Sequence, residues 1–75
     1  MYVGDIIKFK ERYSGEIKLA QITSEVPVEQ MSLYYYYAKP FDSDESFGLA
    51  GHEVIEVYGA YTVEEFKEKF PEKLI

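Results

Sequence analysis

Hydrophobic and polar residues alternate in short runs along most of this chain, and the period lengthens only near its end. Ile7 and Phe9 alternate with Lys8 and Lys10, predicting a strand over residues 2–10 entered through a Gly4-Asp5 turn. Ile6 falls on the polar side of that alternation, so the second face of this strand is expected to be only partly exposed. Glu11-Arg12-Tyr13-Ser14-Gly15 reads as a connection in which Gly15 supplies a positive φ. A second strand is predicted over about residues 16–24. Ile17 and Leu19 share one parity there and Ala20 and Ile22 the other, a change of phase that predicts a bulge or a sharp coil, with two separate short strands as the alternative.

Pro27 and two acids make residues 25–30 a loop. A third strand is predicted over 31–39, centred on Tyr34-Tyr35-Tyr36-Tyr37. Tyr35 and Tyr37 share one face of it and Tyr34 and Tyr36 the other, so both faces carry large amphipathic rings. The face turned away from the interior is expected to lie under the C-terminal helix or to stay exposed. Residues 40–46 are a polar loop, Phe47-Gly48-Leu49 a short strand, and residues 53–58 a last strand ended by Gly59.

The period then becomes helical. Thr62 and Glu65 have the T-x-x-E spacing of a capping box, with Tyr61 and Phe66 in the staple positions around it. Val63, Phe66 and Phe70 form one apolar stripe, Glu65 and Lys69 are placed as an i,i+4 pair, and Pro71 stops the helix near residue 70. Two turns of helix do not persist alone in water, so this segment, about 62–70, must dock. Strands first and one helix last predict a single, mostly β domain over residues 1–75: a small SH3-like barrel of four or five antiparallel strands with a short C-terminal helix.

Composition narrows the functions open to such a domain. At 75 residues the core is small, and eight tyrosines with five phenylalanines supply burial economically; a homodimer interface is a second source of burial. The absence of cysteine excludes disulfides, thiolate zinc sites and a cysteine nucleophile. The start of the chain has no basic region followed by an apolar run, and no stretch approaches the length of a membrane span, so the cytoplasm is the expected compartment.

Charge is unevenly spread. Of a net −6, residues 1–24 carry Lys8, Lys10, Arg12 and Lys18 against three acids, whereas residues 25–61 carry seven acids and only Lys39. An acidic chain repels nucleic acid. The favoured reading is therefore a protein-interaction surface made of Tyr34, Tyr35, Tyr36, Tyr37, Asp42, Asp44 and Glu45, suited to a basic partner. The alternative is a weak single-stranded nucleic-acid binder that uses Lys8, Lys10, Arg12 and Lys18 with exposed tyrosines.

Candidate chemistry is sparse. Asp42, Asp44 and Ser46 with Glu53 at the twelfth position imitate a calcium loop, but Phe47 stands where the sharp turn needs glycine, so an ordinary exposed turn is expected. His52 is the sole histidine and has no second metal-ligating partner nearby. No nucleophile elbow or phosphate loop occurs, and no enzyme activity, metal or cofactor is expected.

Tyr2-Val3-Gly4-Asp5-Ile6-Ile7-Lys8 resembles the entrance to the barrel of YopX-like proteins encoded by phages and prophages of Gram-positive bacteria. The run His52-Glu53-Val54-Ile55-Glu56-Val57-Tyr58-Gly59 with the helix from Thr62 is similar to the end of that barrel. The chain departs from the pattern at Ile55-Glu56-Val57, where the family has a glycine and an asparagine after its isoleucine. The resemblance implies an accessory protein of a phage, prophage or other mobile element, without catalytic positions.

Overall fold

The computed structural model describes residues 1–26 and 34–74, and in its third strand the side chains from Tyr36 onward. The expected loop at 27–30, the expected strand start at 31–33 and the side chains of Tyr34 and Tyr35 lie outside the described residues. Five strands, β1 (Asp5–Lys10), β2 (Ile17–Glu25), β3 (Tyr34–Pro40), β4 (Phe47–Ala50) and β5 (Val54–Ala60), precede one helix, α1 (Val63–Lys69). Single 3-10 turns occupy Gly51–Glu53 and Pro71–Lys73.

The strands form one antiparallel sheet in the order β4-β3-β2-β1-β5. This sheet is not closed. The expected SH3-like barrel is thereby corrected: β4 and β5 are the two ends of the sheet, with β3 and β1 as their respective neighbours, and no ladder joins them. The local signals for short antiparallel strands were sound, but closure depends on whether the last strand meets the far edge. Here β5 is spent on β1, and β4 is only four residues long.

A closed small barrel buries one face of its sheet, whereas this open sheet buries both. On one face Ile7, Phe9, Ala20, Ile22, Ala38 and Leu49 form a core that Met1, Tyr36, Phe47 and Val54 flank. On the other, Ile6 and Leu19 meet Phe66 of α1, with Phe41, Tyr58, Tyr61 and Phe70 around them. Ile6, read as lying on a partly exposed side, is fully buried beneath the helix. The change of parity in β2 has the same cause. Leu19 serves the helix-side core and Ala20 the opposite one, while β1 and β2 stay in regular register from Ile6↔Gln21 to Lys10↔Ile17. The irregularity of β2 lies farther on, against β3 between Ile22 and Ser24.

β5 runs through Gly59 instead of ending there. Gly59 at φ 109° sits opposite Ile6, and the next pair is Ile7↔Val57, so Tyr58 bulges out of the ladder and turns towards the helix-side core. That places Tyr58 5.1 Å from Phe66, ring centre to ring centre.

The helix begins as its sequence dictates. Glu65 N–H donates to Thr62 Oγ1 at 3.1 Å and Thr62 N–H donates to Glu65 Oε1 at 2.9 Å. Lys69 lies over the Tyr61 ring, 5.3 Å from its centre, while Glu65 is occupied at the cap. The helix docks on β1, β2 and the Tyr58 bulge. Among the described side chains of β3 none joins this helix-side core, and Tyr36 packs on the opposite one; whether the helix covers Tyr34 or Tyr35 lies outside the described residues. Gln21 fastens this side of the molecule: its Nε2 donates to Gly4 O at 3.1 Å and to Tyr61 O at 2.8 Å.

Candidate functional site

The edge of β4 shows what occupies the place of a closing strand. Gly48 C=O and Ala50 N–H belong to alternate residues of this strand, and each is met by a side chain. Arg12 Nη2 donates to Gly48 O at 2.6 Å, and Glu53 Oε1 accepts from Ala50 N–H at 3.1 Å. The two side chains also hold each other: Arg12 Nε reaches Glu53 Oε2 at 3.0 Å and Nη2 reaches Oε1 at 2.8 Å. A bidentate guanidinium–carboxylate pair thus spans from the end of β1 to the turn before β5 and covers the polar backbone of β4. Its members are unequally buried, with 31% of the Arg12 side chain exposed against 7% for Glu53.

Local chain geometry places each partner. The 3-10 turn at Gly51–Glu53 brings Glu53 back on the strand it has just left, within reach of the Ala50 N–H. Arg12 follows β1 in a tight connection that Glu11 organises by accepting from the N–H groups of Tyr13 and Ser14. Hydrogen bonds from Ser14, and then from Tyr13, hold the Glu11 carboxyl below its ordinary pKa of 4.5. Gly15 completes this turn at φ 74°, as its position predicted.

An open groove of about 440 Å³ lies beside the ion pair. Phe9, Pro40 and Phe47 give it an apolar lining, Glu11, Arg12 and Tyr13 contribute from the β1–β2 connection, and Asp42, Ser43, Glu45 and Ser46 from the β3–β4 loop. Phe9 and Phe47 pack with ring centres 5.0 Å apart, and the Arg12 guanidinium carbon stands 5.9 Å from the centre of Phe47. Tyr13 projects at the mouth and is 90% exposed. Lys18 lines the same groove and bonds Asp42 at 3.3 Å, with Glu16 at 3.8 Å. The hydrogen bond and charge of Asp42 raise the Lys18 pKa above 10.5.

Of the residues expected to form one acidic aromatic surface, the side chains of Tyr34 and Tyr35 lie outside the described residues, and the other five occupy different surroundings. Asp42 and Glu45 line the groove; Asp44 is exposed on the same loop and does not line it. Tyr36 is half-buried in the core, its hydroxyl donating to Met1 O at 2.8 Å, and Tyr37 is half-buried with its carbonyl accepting from Thr23. The basic residues are not gathered into one patch. Lys8 and Lys10 share the face of Ile6, Lys18 follows the parity of Ala20 on the opposite face, and Arg12 is folded onto Glu53.

The stretch resembling a calcium loop is divided among a loop, β4 and the 3-10 turn, and its last acid, Glu53, belongs to Arg12. His52 is exposed. Among the described residues no three His, Cys, Asp or Glu side chains converge as metal ligands, and no helix is long and apolar enough to cross a membrane. Sequence reading considered Glu53 only as the last acid of a rejected calcium loop and Arg12 only as part of a basic patch, and it missed their pairing because 41 positions separate them. No protein-family model, curated protein or solved structure compared with this chain matches it.

Proposed function

We propose that this protein is a non-catalytic interaction module that receives a short basic segment of another protein in the groove between the β1–β2 connection and the β3–β4 loop. The observation that carries this reading is the pairing of an apolar lining, Phe9, Pro40 and Phe47, with carboxylates at Asp42 and Glu45 beside the exposed ring of Tyr13. Aromatic anchors supply contact area, and carboxylates around them steer a cationic partner towards the site. The net charge of −6 favours the same partner at longer range. The resemblance at the two ends of the chain supports an accessory role for a phage, prophage or other mobile element, acting in the cytoplasm.

Titration of isotope-labelled protein with arginine- and lysine-bearing peptides, and with an acidic peptide of equal length, tests this. Basic peptides are expected to shift the amide signals of Tyr13, Asp42, Glu45 and Phe47, with the acidic peptide inert. Shifts confined to the helix side, or none at millimolar peptide, refute the reading. A labelled oligonucleotide at two salt concentrations is expected to remain unbound, because the four basic side chains do not share a face.

A further inference from the structure

We propose that Glu53, Gly48 and Phe47 form a guanidinium-binding seat, that Arg12 fills it in the free protein as an internal stand-in, and that an arginine of the partner takes it on binding. The proposal rests on the groove reading above and names the residue type that the groove selects.

The seat has three walls supplied by separate groups. Both oxygens of the Glu53 carboxylate face the incoming N–H groups, at 3.0 Å from Nε and 2.8 Å from Nη2, the Gly48 carbonyl accepts a second bond from Nη2 at 2.6 Å, and the Phe47 ring lies 5.9 Å from the guanidinium carbon. Glu53 is nine-tenths buried and fixed by the Ala50 N–H, so it stays in place whichever cation it meets. A planar fork satisfies both carboxylate oxygens and the carbonyl together; an ammonium is a point donor and does not. The seat opens on the groove, which Glu53, Phe47 and Arg12 themselves line.

Arg12 belongs to a connection rather than to a strand, and nearly a third of its side chain is in solvent, so it can exchange while the strand and turn that build the seat stay in place. A partner arginine that displaces it restores each bond to Glu53 and Gly48, so the exchange leaves neither a buried carboxylate nor a carbonyl unpaired. Arg12 then acts as a competitor in cis, and it lowers apparent affinity by the fraction of molecules in which it is seated.

The test compares wild type with Arg12→Ala, using ethylguanidinium and ethylammonium as small probes and a short arginine peptide with its lysine counterpart. Arg12→Ala is expected to bind the arginine peptide about tenfold more tightly than wild type, since the internal competitor is gone. The lysine peptide is expected to gain little. Ethylguanidinium at millimolar concentration is expected to raise the melting temperature of Arg12→Ala, and ethylammonium is not. The combined Arg12→Ala, Glu53→Gln variant is expected to lose both responses.

If Arg12→Ala does not fold unaided, refolding by ethylguanidinium alone supports the seat, and failure to refold with either probe overturns it. Wild-type peptide binding that Arg12→Ala does not strengthen overturns the exchange while leaving the groove reading intact. A selective ethylguanidinium response with no peptide binding by either form supports the seat and refutes the groove reading.

Discussion

At the scale of single residues, the most consequential side chain is Glu53. Its carboxylate is buried, and it meets a guanidinium and a backbone N–H at once. Removing the guanidinium leaves that charge unpaired, so Arg12→Ala is expected to cost about 2–3 kcal/mol in urea unfolding at neutral pH. Glu53→Gln retains an acceptor for Ala50 and carries no stranded charge, so its loss is expected to be smaller. A loss of equal size in both variants would mean that the attraction between the charges, and not the stranded carboxylate, dominates. The pairing of these two residues did not stand out in the sequence. Arg12 reads as one of four cations of a candidate basic patch and Glu53 as the last acid of a rejected calcium loop at the entrance to a strand, because nothing local relates positions 12 and 53.

Elements formed by near neighbours were legible, and the helix is the clearest case. Thr62 and Glu65 are three positions apart and satisfy each other whatever the remainder of the chain does. Thr62→Ala is expected to destabilise the protein by about 1 kcal/mol. The Glu65 carboxyl is held below its ordinary pKa of 4.5, first by the Thr62 backbone N–H. Its contribution is therefore present above pH 4.5 and is lost as pH falls through the lowered value. Unfolding midpoints measured from pH 6 to pH 3 should drop in that acid window, and Thr62→Ala should flatten the drop. Phe66 is fully buried between Ile6, Leu19 and the surrounding rings, so Phe66→Ala is expected to cost about 3–5 kcal/mol. A change near zero would place the helix outside the cooperative unit. What the helix covers was less legible than the helix itself. The tyrosine strand offered an aromatic face, but Ile6 and Leu19, at positions that looked polar or out of phase, are its actual seat.

At the scale of the molecule, strand existence could be read from alternation, whereas closure could not. Two faces of one sheet were mistaken for one face of a barrel, since parity states which residues share a side and leaves open how many sides are covered. The open sheet has two edges, and both are guarded. β5 is interrupted by register shifts at two places against β1, which disrupt a continuous edge even though Ile55 and Val57 are exposed at 52% and 46%. β4 is short and has Arg12 and Glu53 on its backbone groups. Sedimentation over a hundredfold concentration range is accordingly expected to return a monomer for the wild type. A mass that climbs with concentration would show that the guards fail.

The Gln21 carboxamide joins parts of the chain that sequence sets far apart, holding the Gly4 carbonyl with one hand and the Tyr61 carbonyl with the other. The opening turn and the approach to the helix are therefore yoked, and fraying at either end must pull on the same amide. Hydrogen exchange at Asp5 and Phe66 should report a shared opening event in the wild type. With Gln21→Ala the two amides should exchange independently, the helix end first.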